Sequence, residues 1–306
     1  MPQSTLRLGT RGSKLALAQA ALVRAALAAL DIGCEIVTVR TTGDRIQDRP
    51  LAAAGGKGLF VKELEDALLG QRIDVAVHSM KDLPAVLPAG LEIAAVLPRE
   101  DPRDAFISSR AESLGALPAG TRIGTSSVRR RAQVARLRPD LEPVLLRGNV
   151  DTRLAKLDGG EIDAVLLAHA GLKRLGLEDR ATLVLPVEAW LPALSQGAIG
   201  TEVREHDAAV GCLAALNHLP TAIALACERA FQVALDGSCA TPIGGLAEFT
   251  DGRLRFRGEV IAPDGSGFAD TAFERALGSD PPAEAAVFGR EAGMALKPRV
   301  AQWLSG

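Results

Sequence analysis

Two stretches of this 306-residue chain share one grammar. "LRLGTRGSKLALAQ", from Leu6, and "TRIGTSSVRRRAQVARL", from Thr121, each run from a short apolar strand through Gly-Thr and serine into a helix. Further along, "LEDALLGQRIDVAVHSMKD", from Leu64, and "LAKLDGGEIDAVLLAHAGLKR", from Leu154, share a second one: helix end, glycine, an Ile-Asp strand, then a polar loop. Strands that alternate with helices restrict a chain to an α/β architecture. Two echoes in the same order predict two α/β lobes. Each lobe would present strand ends and helix N-termini to a shared cleft, where small molecules commonly bind.

The connecting segments refine this division. Ser13 is an expected N-cap for the helix that "DIG" ends, "EIVTVR" alternates as a strand, and Phe60, Leu64, Ala67 and Leu68 have helical spacing before Gly70. Between them, residues 41–58 are rich in turn formers, and the loop 42–58 is expected to act as a lid. Proline-rich "LPREDPRD" (97–104) and "LPALSQGAIG" (191–200) read as a pair of hinge strands. From residue 219 the character becomes α+β: a helix, a loop bearing Cys239, strands "IGGLAEF" and "RLRFRGEVIA" joined by Thr-Asp-Gly, and a final helix from about residue 282. The expected domains are 1–98 with 198–217, then 103–193, then 219–306.

A net charge of −2 supplies no overall field to hold a polyanion, so anion recognition must come from local clusters. Of the 35 basic residues 28 are arginine, which suits bidentate binding of carboxylate or phosphate, although a GC-rich genome accounts for most of them. With only 3% aromatic residues and no nucleic-acid-binding motif, the basic run "SVRRRAQVARLR" is not read as a nucleic-acid site. The four cysteines and four histidines have no metal-ligand spacing, and no metal is expected. The Ala/Leu-rich stretch from Leu15 to Leu30 is interrupted by Arg24 and too short to span a bilayer, so a cytoplasmic protein with reduced thiols is expected, and a monomer is the default because an arginine-lined cleft requires no partner.

Three features could carry chemistry. Arg11 with Ser13, Thr125, Ser126 and Ser127 with Arg129 and Arg130, and Arg147 with Asn149 and Arg153 all put cations at helix starts, where backbone N–H groups favour anions. Any one of these is as well explained by a solvated basic face; three at analogous points of two lobes suggest a ligand with several carboxylates or phosphates. Lys81 and Asp82 follow an apolar strand, either as a surface turn before Pro84 or as a site for proton handling and cation stabilisation. Cys34, Cys212 and Cys227 lie in or beside apolar runs and read as small buried hydrophobes. Cys239 sits in "DGSCATPIGG" with nothing apolar beside it, as a covalent attachment point or a nucleophile.

"VHSMKDLP", "GGKGLFVKELE", "GTSSVRRR", "LRGNVDTRL", "LLAHAGLKRLG", "LSQGAIG" and "GSCATPIGG" occur in one order along nearly the whole chain. Together they resemble the porphobilinogen deaminase (hydroxymethylbilane synthase) family. The resemblance implies two lobes like periplasmic anion-binding proteins, with paired crossovers, and a third domain bearing the cysteine. It implies that Cys239 holds a dipyrromethane cofactor through a thioether, built from the enzyme's own substrate. Each porphobilinogen carries an acetate and a propionate. By resemblance, Lys81, Ser127, Arg129, Arg130 and Arg147 bind the cofactor. Arg11, Ser13, Thr125, Ser126, Asn149, Arg153, Arg174 and Gln196 bind substrate, and Lys57 belongs to the lid. The implied chemistry is loss of ammonia to an azafulvene, attack by the free α-carbon of the bound chain with Asp82 handling protons, and release of linear hydroxymethylbilane by water after four additions.

Two positions depart from the family pattern. Ala53 stands where a lysine is frequent, and Asp151, two residues before Arg153, could be a helix N-cap. A rival reading, a two-lobed solute-binding module, leaves Asp82, Cys239 and the third domain without a purpose.

Overall fold

The computed structural model describes residues 5–41, 61–237 and 241–304. The lid loop with Lys57 and Ala53, and Cys239 itself, lie outside the described residues. The chain divides into two compact units, Met1–Glu100 with Ala198–Ala222, and Asp101–Gly197 with Ile223–Gly306. Elements are numbered along the chain.

The first unit contains β1 (Leu6–Arg11), α1 (Lys14–Ala28), β2 (Cys34–Val39), α2 (Lys62–Leu69), β3 (Val75–Ser79) and β4 (Leu91–Val96), and later β10 (Ile199–Arg204) and α6 (Ala208–Leu213). Its sheet has the order β2-β1-β3-β10-β4. β1 is parallel to β2 and β3, whereas β10 runs antiparallel between β3 and β4. Ala20, Val23 and Leu27 form the helical stripe of α1 that packs on Leu8, Val75 and Val77. Leu64, Ala67 and Leu68 of α2 cover the opposite face at Ala76. β3 is therefore covered on both faces, which is why "VAVHS" is almost continuously apolar.

The second unit begins with β5 (Asp104–Ser108), β6 (Arg122–Thr125), α3 (Val128–Leu137), β7 (Glu142–Leu145), α4 (Val150–Asp158), β8 (Ala164–Ala168), α5 (His169–Arg174) and β9 (Leu183–Val184). Its sheet order is β7-β6-β8-β5-β9. β6 is parallel to β7 and β8, and β5 is antiparallel to both β8 and β9. This is the arrangement of the first sheet repeated, as the sequence echoes predict. In each sheet the antiparallel fourth strand enters directly after a proline-rich crossover. The crossovers themselves are irregular rather than strands over 97–103 and 191–197.

The remainder of the second unit is α7 (Leu219–Ala234, whose first turn falls in the first unit), β11 (Ile243–Thr250), β12 (Arg253–Ile261), β13 (Phe268–Ala276) and α8 (Pro281–Leu304). The three strands form an antiparallel sheet under the two helices, with Phe231 and Phe256 edge to face at 4.9 Å. Within the second unit the five-stranded lobe and the smaller C-terminal sheet-and-helix domain keep separate sheets and are joined by specific contacts. Gln133 Nε2 donates to Glu259 Oε1 at 2.8 Å, Gly245 N donates to Pro192 O at 2.9 Å, and Glu228 accepts from Ser195 N at 2.5 Å and Ala247 N at 2.7 Å.

Cys227 is buried, and burial pushes its thiol well above the ordinary range. Cys212 departs from expectation. α6 buries Ala209 and Leu213 on one side, which turns Cys212 out to solvent. No single helix among the described residues is long and apolar enough to cross a membrane.

Candidate active site

In the first unit the site forms at the C-terminal ends of two parallel strands. Arg11 is the last residue of β1, and Ser13 caps α1 by accepting from Ala16 N at 3.2 Å. β3 ends in a single 3₁₀ turn, Met80–Asp82, held by Met80 N donating to Ala198 O and Leu83 N donating to Met80 O. The turn leaves Lys81 and Asp82 exposed while Met80 is buried. Gly200 on β10 makes this possible: a Cβ there would lie 2.1 Å from Met80 Sδ. Arg11, Ser13, Gln19, His78, Ser79 and Asp82 line one pocket. Gln19 and Ser79 were not expected. The amide donates to Ser79 Oγ at 2.8 Å and Ser79 Oγ donates to Gln19 Oε1 at 3.1 Å, fixing the strand end against α1. A glutamine on the apolar stripe of a helix was the available signal.

The second unit brings together the turns after β6 and β7, which are neighbouring parallel strands. Thr125 Oγ1 accepts from Ser127 N at 3.2 Å, and Ser127 caps α3 by accepting from Arg130 N at 3.4 Å. Asn149 caps α4, accepting from Thr152 N at 2.9 Å. Asp151 is thus not the N-cap; it lies in the first turn, where an acid still complements the helix dipole. Arg153 ties the two turns, donating from Nε to Gly148 O at 2.9 Å and from Nη2 to Ser126 Oγ at 3.2 Å. Gly148 has φ of +109°, and a Cβ there would stand 2.7 Å from Thr152. Arg147 precedes it, partly buried, and Arg174, at the end of α5, donates to Gly197 O at 2.5 Å.

Arg129, Arg130 and Gln196 are placed differently from the carboxylate ligands that sequence suggests. All three are buried around Asp104, the first residue of β5. Asp104 Oδ2 accepts from Arg129 Nη2 at 2.8 Å, Arg130 Nε at 3.1 Å and Trp190 Nε1 at 2.8 Å. Its Oδ1 accepts from Arg130 Nη2 and Gln196 Nε2, both at 2.7 Å. Burial alone would raise the Asp104 carboxyl, but the two guanidiniums and these donors hold it well below the usual carboxylate range. Burial pushes the Arg129 guanidinium down in turn. These side chains lock the first turn of α3 and both crossovers to one internal carboxylate. Among the described residues no group of three His, Cys, Asp or Glu is placed to hold a metal.

Residues 6–211 match the family described as porphobilinogen deaminase, dipyromethane cofactor binding domain, and residues 222–297 match porphobilinogen deaminase, C-terminal domain. The chain belongs to the porphobilinogen deaminase family. A porphobilinogen deaminase of Nitrobacter hamburgensis is 53% identical over 96% of this chain and 93% of its own length. Another, from Syntrophobacter fumaroxidans, is 50% identical over 97% of this chain and 95% of its own. Among solved structures, the methionine-binding protein MetQ aligns with a TM-score of 0.45 at 12% identity, covering 69% of this chain and 89% of that one. A Coxiella burnetii periplasmic substrate-binding protein aligns at 0.44 and 15%, covering 71% and 93%. The porphobilinogen deaminase match spans both units, so the pocket around Asp82 and the arginine-bearing turns after β6 and β7 belong to one enzyme.

Proposed function

We propose that this chain condenses four porphobilinogen molecules head to tail, with loss of ammonia, and releases linear hydroxymethylbilane for tetrapyrrole biosynthesis. The observation that carries the reading is the family match across 6–211 and 222–297, joined to a carboxylate at the end of β3 that shares a pocket with Arg11 and Ser13.

Dipyrromethane, which carries two acetates and two propionates, fits the donor set of the second unit: Ser126, Ser127, Arg147, Asn149 and Arg153 gather hydroxyl, amide and guanidinium donors at two adjoining helix N-termini. When bound through Cys239 the group supplies the free pyrrole α-carbon from which the chain is extended. Arg153 orients carboxylates at the Ser126 turn, with Arg147 beside it. Arg129, Arg130 and Gln196 contribute by fixing that turn through Asp104. Arg174 steadies the crossover at Gly197. In the first unit Arg11 and Ser13 orient incoming carboxylates. Asp82, exposed at the pocket rim, holds a proton for the departing amino group, stabilises positive charge on the ring and takes up the proton lost from carbon. Lys81 adds a neighbouring cation. Lys57 and the loop around it serve as the lid, and the enzyme works as a cytoplasmic monomer without nucleic-acid or membrane partners.

Intact mass with a peptide map tests the reading. The expected result is an increase of two porphobilinogens less two ammonia molecules, located on Cys239, present as isolated or after incubation with porphobilinogen. A chain that stays bare and releases no ammonia would overturn it in favour of a solute-binding module.

A further inference from the structure

Behind the Asp82 pocket lies a set of ionisable groups that the proposed mechanism does not use. In the β3–β10 register Glu202 stands opposite Ala76, so His78, two residues on, is its diagonal neighbour on the face that α2 covers. The imidazole Nε2 lies 3.0 Å from Glu202 Oε2, with side chains 5% and 0% exposed. Glu65, buried on the α2 face that covers Ala76, lies within electrostatic reach of both. Oε1 of Glu202 and Oε1 of Glu65 are both buried without a hydrogen-bond partner.

Two buried carboxylates cannot both stay ionised beside a single imidazole without a large desolvation cost. Carboxyls that share such a site divide their protons, and one of them stays neutral. Glu202 has the imidazole as its partner; Glu65 does not, and its carboxyl is raised by burial first, then by Glu202, with His78 opposing. Among the described residues, Asp66 on α2 also acts on Glu65, and Arg11 at the end of β1 and Asp82 after β3 line the pocket with His78. His78 also lines the pocket that holds Asp82, which puts the cluster beside that pocket.

We infer that Glu65, His78 and Glu202 form one buried proton-sharing cluster, with Glu65 as its neutral acid, and that it serves as the proton reservoir behind Asp82. The inference deepens the proposed role of Asp82 and rests on it. In each condensation one proton is taken up by the amino nitrogen as the C–N bond breaks and its electron pair leaves with ammonia. One proton is given back by the α-carbon of the attacking ring after the C–C bond forms. The two transfers balance but are separated in time, and a nearby shared proton bridges the interval. Glu65 and His78 act through Asp82 and are positioning residues.

Infrared spectroscopy of the full-length protein with 13C-labelled glutamate tests this without relying on turnover. A protonated-glutamate carbonyl band is expected at pH 7, absent in Glu65→Gln and displaced in Glu202→Gln. Glu259, also pushed up by burial, is separated by Glu259→Gln, which keeps the Glu65 band and serves if Glu65→Gln does not fold. Glu65→Gln is further expected to lower kcat roughly tenfold at unchanged KM, with an altered pH profile of kcat. No band surviving in Glu259→Gln, or a Glu65→Gln enzyme with wild-type kcat across pH, would overturn the inference. A fully active Asp82→Ala enzyme would instead defeat the reading on which it rests, and would leave the band in place.

Discussion

Replacing Asp104 by Asn isolates the internal carboxylate that organises the second unit. Asn presents one acceptor oxygen and one NH₂ donor where the carboxylate presents two acceptors. With its oxygen at Oδ2 it keeps the contacts from Arg129 Nη2, Arg130 Nε and Trp190 Nε1, and turns a donor toward Arg130 Nη2 and Gln196 Nε2. Each buried donor left without an acceptor costs about 1–3 kcal/mol. Two guanidiniums also lose the carboxylate they bond directly, and breaking a buried pair from one side costs about 3–5 kcal/mol in total. For a unit of this size that is a fall in Tm of about 6–20 °C, read by calorimetry or by circular dichroism at neutral pH. The same carboxyl makes an acid-side prediction. Its folded pKa lies below the unfolded value of about 3.9, so its contribution is present above that value and is lost as pH falls through the folded one. The wild type should therefore lose stability below about pH 4 more steeply than Asp104→Asn does. A Tm within about 2 °C of wild type, or identical acid-unfolding curves, would refute the reasoning.

Asp82→Ala should keep the wild-type Tm, since the side chain is exposed, while nearly abolishing ammonia release; retained turnover would remove Asp82 from the mechanism. Gly200→Ala should destabilise by about 1–3 kcal/mol through overpacking against Met80, and lower kcat by displacing the Asp82 turn; Met80→Ala added to it should recover part of both, as denaturant unfolding and steady-state kinetics would show. Asn149→Ala should cost about 1 kcal/mol by uncapping α4 and weaken carboxylate binding at Arg153; a variant unchanged in both would argue against that turn as a site. Cys239→Ser should show no covalent mass increase with porphobilinogen.

The strand-to-helix transitions were legible because each is written locally: Ser13 and Ser127 are caps whose side chains bond their own first turns. The echo between lobes announced two similar α/β lobes, but the strand order, and the strand that each sheet takes from beyond a crossover, came only with the fold. β13 was not legible. "FADTAFERA" is an edge strand whose side chains are mostly exposed, and its Ala, Glu and Arg content favours helix as much as strand. Asp82, Arg11 and Ser13 could be grouped because each lies at or just past a strand end. What sequence could not give was which way a charge points. Arg129 and Arg130 follow a capping serine just as a ligand-binding arginine would, and only the fold shows Asp104 waiting inside. Glu202 is far from His78 in sequence and meets it only because β10 slots beside β3.

That insertion of β10 has a consequence for how the protein is made. Until residue 204 has left the ribosome, β3 and β4 lack the strand that lies between them, and the N-terminal sheet exists only as β2, β1 and β3 with an open edge. The segment 101–197 contains every strand of its own five-stranded sheet and can close it first. The sheet begun first is thus completed second, during which time β3 offers an unpaired, apolar edge of the kind that recruits other chains. No single cut divides the chain into two complete units. A fragment ending before β10 should aggregate, and one resuming at β10 should carry a strand with no sheet to enter.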